Sequence, residues 1–159
     1  MTDMLQHTML RHTVATLAYR GGKALRGAPA EFAAYRAGPN GRTAGEILAH
    51  LCDLFDWAMT LADGKQAWHN STPQAWDADV ERFFAGLQAF DRRLASGNAL
   101  SVEPERLFQG PVADALTHVG QLAMMRRMAG CPMRGENYFV AAIVVGRAGA
   151  EQADPVREF

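Results

Sequence analysis

The sequence predicts an all-α protein, a four-helix bundle with a short additional helix near the C-terminus. Two observations carry this prediction. Four long segments repeat apolar residues at intervals of three and four, the pattern of an amphipathic helix, and no segment alternates apolar and polar residues persistently, as a half-buried strand would. Four apolar stripes must be buried against one another, which is what a bundle accomplishes. With 159 residues, 48% of them hydrophobic and 21% charged, the chain has the size and composition of one globular domain spanning residues 1–159 with its own core.

Taking the elements in order, helix one runs from Thr2 to about Leu25. Leu5, Met9, Leu10, Val14, Leu17 and Ala18 keep helical spacing, and Gly21-Gly22 weakens the far end. Residues 27–41 contain Pro29, Pro39 and several glycines and read as a connection, with room for a helical turn over 31–36. Helix two begins at Thr43. Thr43-Ala44-Gly45-Glu46 has capping-box spacing, so the Thr hydroxyl accepts from the Glu46 amide while the Glu46 carboxylate accepts from the Thr amide. The helix continues through Ile47, Leu51, Leu54, Phe55, Ala58 and Met59 and stops at Gly64.

Residues 65–76 read as a polar loop, after which Asp77 is placed to cap a third helix carrying Val80, Phe84, Leu87, Phe90 and Leu94 and ending at Gly97. A second connection over 98–110 leads to Pro111 in the first turn of a fourth helix, which reaches Met128 and stops at Gly130. Tyr138, Phe139, Ala142 and Ile143 predict a short helix over 136–145 that packs on the bundle, followed by a polar, Gly-rich tail.

Several classes are disfavoured. The net charge is -1 and the basic residues are scattered, densest at Arg92-Arg93 and Arg126-Arg127, so the stripe expected of a nucleic-acid binder is absent. No apolar segment approaches membrane-spanning length, and the start of the chain does not read as a signal peptide. The expectation is a cytoplasmic protein with no membrane partner. Cys52 and Cys131 show no pairing framework and read as free thiols.

Chemistry concentrates on helices two and four. At about 100° per residue, Asp114, His118, Gln121 and Met125 share one face of helix four, and the i, i+4 spacing lets the Asp114 carboxylate and His118 imidazole converge on one ion. On helix two, His50 lies in an apolar stripe with Ile47, Leu54 and Trp57. An unpartnered buried histidine is costly, and bundle-core metal sites are built from facing helices, so His50 opposite Asp114 and His118 makes three convergent ligands. Three protein ligands leave a coordination position open to water or substrate. A plainer reading stays open: His50 makes an ordinary hydrogen bond, and Asp114 with His118 forms a helix-surface pair.

Other side chains join the same picture. Gln121 can orient a ligand or satisfy buried backbone. Trp57, His69 and Met125 are candidate pocket residues, His69 because its loop, next to Trp68, could reach the metal mouth. Met124, Met125 and Met128 could line a pliable pocket but fit plain core better. Arg126 and Arg127 read as cations at the negative end of helix four. His7 and His12, five apart, do not share a helix face and read as structural or solvated.

Gly45-Glu46-Ile47-Leu48-Ala49-His50-Leu51 followed by Trp57, and then His118-Val119-Gly120-Gln121-Leu122, resemble in order and separation the two signature segments of the DinB/YfiT-like superfamily. The resemblance extends to Gly130 and to the stretch from Asn137-Tyr138-Phe139 to Gly146-Arg147, nearly the whole chain. It implies a metal-binding bundle in which one histidine of the first segment and a His-x-x-x-His pair before Gly-Gln bind zinc, nickel or a similar ion. Those positions here are His50, Asp114 and His118, so Asp114 stands where the pattern has a histidine. Two histidines and a carboxylate are a competent zinc set that also suits iron or manganese. The resemblance further implies a thiol-dependent transferase or hydrolase, a small-molecule substrate, a low-molecular-weight thiol partner and a homodimer. The alternative is a non-catalytic stress-response or binding module with a structural or degenerate metal site.

Overall fold

The computed structural model of the chain describes residues 2–159, with side-chain environments from residue 5 onward. Helix α1 spans Thr2–Leu25, α2 Ala44–Ala62, α3 Trp76–Ala95, α4 Pro104–Leu107 and α5 Ala113–Met128; a π-helical turn, Phe108–Val112, joins α4 to α5 into one column. The described residues hold no strand beyond two isolated bridges, Arg36 with Thr43 and Glu136 with Glu158. Among the described residues no helix is long and apolar enough to cross a membrane.

Helix α1 packs on α3 and α5, and α2 also packs on α3 and α5, so the four columns form a ring in the order α1, α3, α2, α5. The core inside it is aliphatic and aromatic: Val14 and Leu17 from α1, Leu48, Leu51 and Phe55 from α2, Phe83, Leu87 and Phe90 from α3, and Leu122 from α5 are fully buried. This arrangement places α2 and α5 side by side, which is the condition for His50 to meet Asp114 and His118.

The capping box of α2 forms as the sequence predicts. Thr43 Oγ1 accepts from the Glu46 amide at 3.1 Å and Glu46 Oε2 accepts from the Thr43 amide at 2.6 Å. Gly64, past the end of α2, has φ +76°, a left-handed conformation that favours glycine.

Elsewhere the boundaries differ from expectation for identifiable reasons. Helix α3 starts at Trp76, and Asp77 does not cap it. The buried Asp79 carboxylate instead accepts from the Gln74 amide at 2.8 Å. The fourth column begins at Pro104, whose missing N–H costs nothing at a helix start; Pro111 lies inside, where the wider π turn accommodates it. Helix α1 by contrast ends at Leu25 as expected, and Gly21 and Gly22 lie inside it, facing Phe83 and Phe84 of α3. Leu5 and Met9, assigned to the inward stripe, are 66% exposed on the first turns of α1.

The predicted helix over 136–145 is reduced to one 3-10 turn, Tyr138–Val140, begun by the Asn137 side chain accepting from the Phe139 amide. The chain before the turn is held extended by pairing with the C-terminus: Asn137 N donates to Arg157 O at 3.0 Å and Phe159 N to Gly135 O at 3.1 Å. Phe139 points to solvent, and Tyr138 makes the contacts with α1, edge-on to Tyr19 and beneath the Arg20 guanidinium.

Candidate metal centre

His50 sits nearly two turns into α2, with Ile47 and Leu54 of its stripe buried. Asp114 and His118 stand one turn apart on α5, in the part of the column that follows the π turn. His50 Nε2 lies 3.3 Å from Asp114 Oδ2, and His118 Nε2 lies 3.4 Å from Asp114 Oδ1. The three donor groups fall within 4.8 Å of one another. Nitrogen and oxygen ligands at about 2.0–2.1 Å from a tetrahedral ion stand roughly 3.3–3.4 Å apart, so each histidine lies at ligand-pair spacing from the Asp114 carboxylate, His50 through Oδ2 and His118 through Oδ1. The histidine rings approach edge to face at 4.7 Å between centroids.

Electrostatics favour the ligand forms. Burial lowers the His50 pKa, and repulsion from His118 and Arg42 adds to it. The hydrogen bond and charge of Asp114 pull the other way and do not prevail, so the net shift is below the ordinary histidine value. A neutral ring keeps a lone pair for a metal. His118 Nδ1 stands 2.8 Å from Gln121 Oε1. A carbonyl oxygen can only accept, so this contact suits a proton on Nδ1 and leaves Nε2, the atom facing Asp114, as the nitrogen for a metal. The sequence-predicted role of Gln121 as an orienting residue thus has a bond to rest on. Both histidine side chains are mostly buried, 15% and 13% exposed, while Asp114 is 46% exposed and faces the mouth.

The site opens into a cavity of 760 Å³ whose lining includes Ile47, His50, Asp114, His118, Gln121, Met124, Met125 and Met128. Met125, the predicted pocket residue, is there. Met124 and Met128 are not core as expected. They are more than half exposed and form the apolar side of this cavity. Trp57 does not line it: seven residues beyond His50 it is about 10.5 Å farther along the helix, packed edge-on to Trp68, and near Gly110. It acts at one remove, because Trp68 in turn stands edge-on to His50 at 5.5 Å.

His69 does not reach the metal centre either. Its Nε2 lies 3.1 Å from Asp53 Oδ1 and 3.4 Å from Asp56 Oδ2. These three residues could in principle hold a second ion, but one guanidinium nitrogen of Arg82, Nη2, is 2.6 Å from both carboxylates and stands among them as their counter-charge. Burial raises the Asp53 pKa, yet hydrogen bonds from Ser71 and Arg82 outweigh it and the net shift is downward. This cluster is an α2–α3 cross-link.

Two further residues were not singled out by the sequence. Arg42 comes over the site because the loop before α2 folds back, with Ala44 N donating to Tyr35 O at 2.9 Å and Arg36 donating to Gly41 O. Trp68 arrives through the loop after α2. Neither carries a local sequence signal, since loop paths set both positions. Arg126 also differs from expectation: it is buried and donates to the carbonyls of Ala24, Arg26 and Cys131, so it closes the end of α1 as well as its own helix.

Cys52 and Cys131 are free. Burial pushes the Cys52 thiol up to about 12, and its Sγ donates to Asp79 O, so it is not a reactive thiolate. Comparison of the chain with family models, curated proteins and solved structures finds no match in any of the three.

Proposed function

We propose that the chain is a divalent-metal-dependent enzyme of the DinB/YfiT-like type, a thiol-dependent transferase or hydrolase acting on a small molecule. The observation that carries the reading is the convergence of His50 Nε2, His118 Nε2 and the Asp114 carboxylate, at ligand-to-ligand spacing, beside an open cavity. Zinc or nickel fits the donor set, and the carboxylate admits iron or manganese as well. Such an ion, when bound, lowers the pKa of a coordinated thiol or water and so supplies a nucleophile near neutral pH.

The chain's own residues do the rest. Burial favours the neutral form of His50, Gln121 Oε1 is placed to hold the His118 ring through Nδ1, and Trp68 packs edge-on against His50. The resemblance in the two histidine segments supports the thiol or water chemistry and a homodimeric state.

The test is elemental analysis of protein purified without a metal-affinity tag, alongside His50→Ala. One equivalent of metal in the wild type and none in the variant is the expected result; a metal-free wild type that cannot be loaded overturns the reading. A second reading has its own observation. The Asp114 carboxylate is already a hydrogen-bond partner of His50, so the trio can be satisfied without an ion and serve as a polar cross-link between α2 and α5 in a non-catalytic binding module. Restoring the usual histidine with Asp114→His discriminates: tight metal binding that appears only in this variant identifies a degenerate site.

A further inference from the structure

We propose that the groove over the metal centre binds an amphiphilic monoanion, its carboxylate-like head at Arg42 and its apolar body along Met124, Met125 and Met128. The inference deepens the metal-enzyme reading by naming a substrate class for the same site, and it rests on that reading for the reacting end of the ligand.

Two hollows meet at the site. The 760 Å³ cavity and a second one of 350 Å³ share Gly41, Arg42 and His50 and so form one groove with two unlike halves. The smaller half is polar, with Asn40, Asn70 and Ser71 on its walls. The larger is walled by methionines, of which Met124 and Met128 lie exposed. Its volume is within the roughly 300–1,000 Å³ of ligand pockets generally. Unbranched thioether side chains adapt to flexible apolar bodies of differing shape, so a chain-like tail suits this wall better than one rigid ring.

Charge decides the head group. Each carboxylate bordering the groove is engaged: Glu46 by the Thr43 amide and Arg36, Asp53 by Ser71 and Arg82, Asp114 by His50. Arg42 is exposed and borders both halves; among the described residues it makes neither a hydrogen bond nor an ion pair, and its charge acts only at longer range on Glu46 and His50. The cation left over at the junction of a polar and an apolar half calls for an anion attached to an apolar body. A guanidinium fork matches a carboxylate in two parallel bonds.

The experiment is calorimetric titration of the full chain with butanoate, hexanoate, octanoate and octan-1-ol, with metal content measured on the same samples. Affinity is expected to rise roughly two- to fourfold per methylene along the acids. Arg42→Gln should weaken octanoate by about tenfold and leave octanol unchanged. Met124→Ser and Met128→Ser should weaken both, and these positions are exposed, so the fold is not at risk. Octanoate binding that is absent, or that Arg42→Gln leaves intact, overturns the inference. Metal present with Arg42-independent binding sinks this inference alone; Arg42-dependent octanoate binding by protein that takes up no metal sinks the enzyme reading alone.

Discussion

At His50, burial favours the neutral ring and the hydrogen bond to Asp114 favours the charged one; burial prevails, and the folded-state pKa lies below the ordinary 6.5. The sign of the consequence follows. As pH falls through 6.5 the unfolded chain takes up a proton that the folded chain resists, so the metal-free protein loses stability on acidification toward the folded pKa. Asp114→Asn removes the influence that raises the pKa and should move the His50 midpoint lower still. An NMR titration of metal-free protein reads this directly, and a midpoint that rises in Asp114→Asn contradicts the assignment of Asp114 as the partner of His50. Gln121 acts through His118. Gln121→Leu should weaken metal binding roughly 10–100-fold, whereas Gln121→Glu keeps an acceptor for the Nδ1 proton and should restore most of the affinity. Competition with a chromophoric chelator measures both, and equal losses in the two variants would mean that the bond does not fix the tautomer.

At the scale of elements, the approach of α1 to α3 depends on Gly21. A Cβ built there meets the ring of the fully buried Phe83 at 2.9 Å, a contact the packed core cannot relieve by swinging the ring away, whereas one at Gly22 meets Phe84 at an ordinary 3.4 Å. Adjacent substitutions should therefore have opposite signs. Gly21→Ala is expected to destabilise by about 1–2 kcal/mol despite its better helix propensity, and Gly22→Ala to stabilise by about 0.5–1 kcal/mol. Urea denaturation of the two variants checks this, and a stabilising Gly21→Ala would show that the helices can separate freely. The same pair shows what the sequence made legible. Hydropathy period revealed four helices and the Thr43 capping box, because those signals are local. It placed the end of α1 at Leu25 but could not show what Gly21 and Gly22 do inside the helix, since those glycines face Phe83 and Phe84, more than sixty residues later in the chain. His50, Asp114, His118 and Gln121 were legible because helical spacing and the resemblance both point to them. Arg42 and Trp68 were not, because fold-back of loops brings them in. Met124 and Met128 look like core in sequence, and only the rotation of α5 turns them to the groove.

For the molecule as a whole, the helical ring is fastened by a tail that hydropathy reads merely as polar and Gly-rich. Residues 131–159 return to α1, where the side chain of Glu136, with no solvent exposure, accepts from Tyr19 Oη at 2.6 Å and Lys23 Nζ at 2.7 Å. Lys23 also donates to Glu158 at 2.7 Å, near the bridge between Glu136 and Glu158. Burial would lower the Lys23 pKa, but hydrogen bonds and charge from the two glutamates outweigh it and the net shift is upward; burial raises the Tyr19 pKa, and Glu136 adds to it. Both groups therefore give the clasp the same pH dependence. Their stabilisation is fully present below the ordinary values, 10.0 for the tyrosine and 10.5 for the lysine, and is lost as pH rises toward the folded values, because the unfolded chain then gives up protons that the folded one retains. Glu136→Ala leaves the Lys23 ammonium with Glu158 as its remaining partner and the Tyr19 hydroxyl without its acceptor, and should cost about 1–3 kcal/mol at neutral pH, with hydrogen exchange accelerating first along 131–159. Denaturation series from pH 7 to about pH 11 should then show a steep alkaline decline in the wild type and a shallower one in Glu136→Gln, where the carboxylate that Tyr19 and Lys23 share is gone and only Glu158 still holds the lysine. Parallel declines in the two proteins would place the alkaline sensitivity outside the clasp and leave the tail as a passive covering of α1.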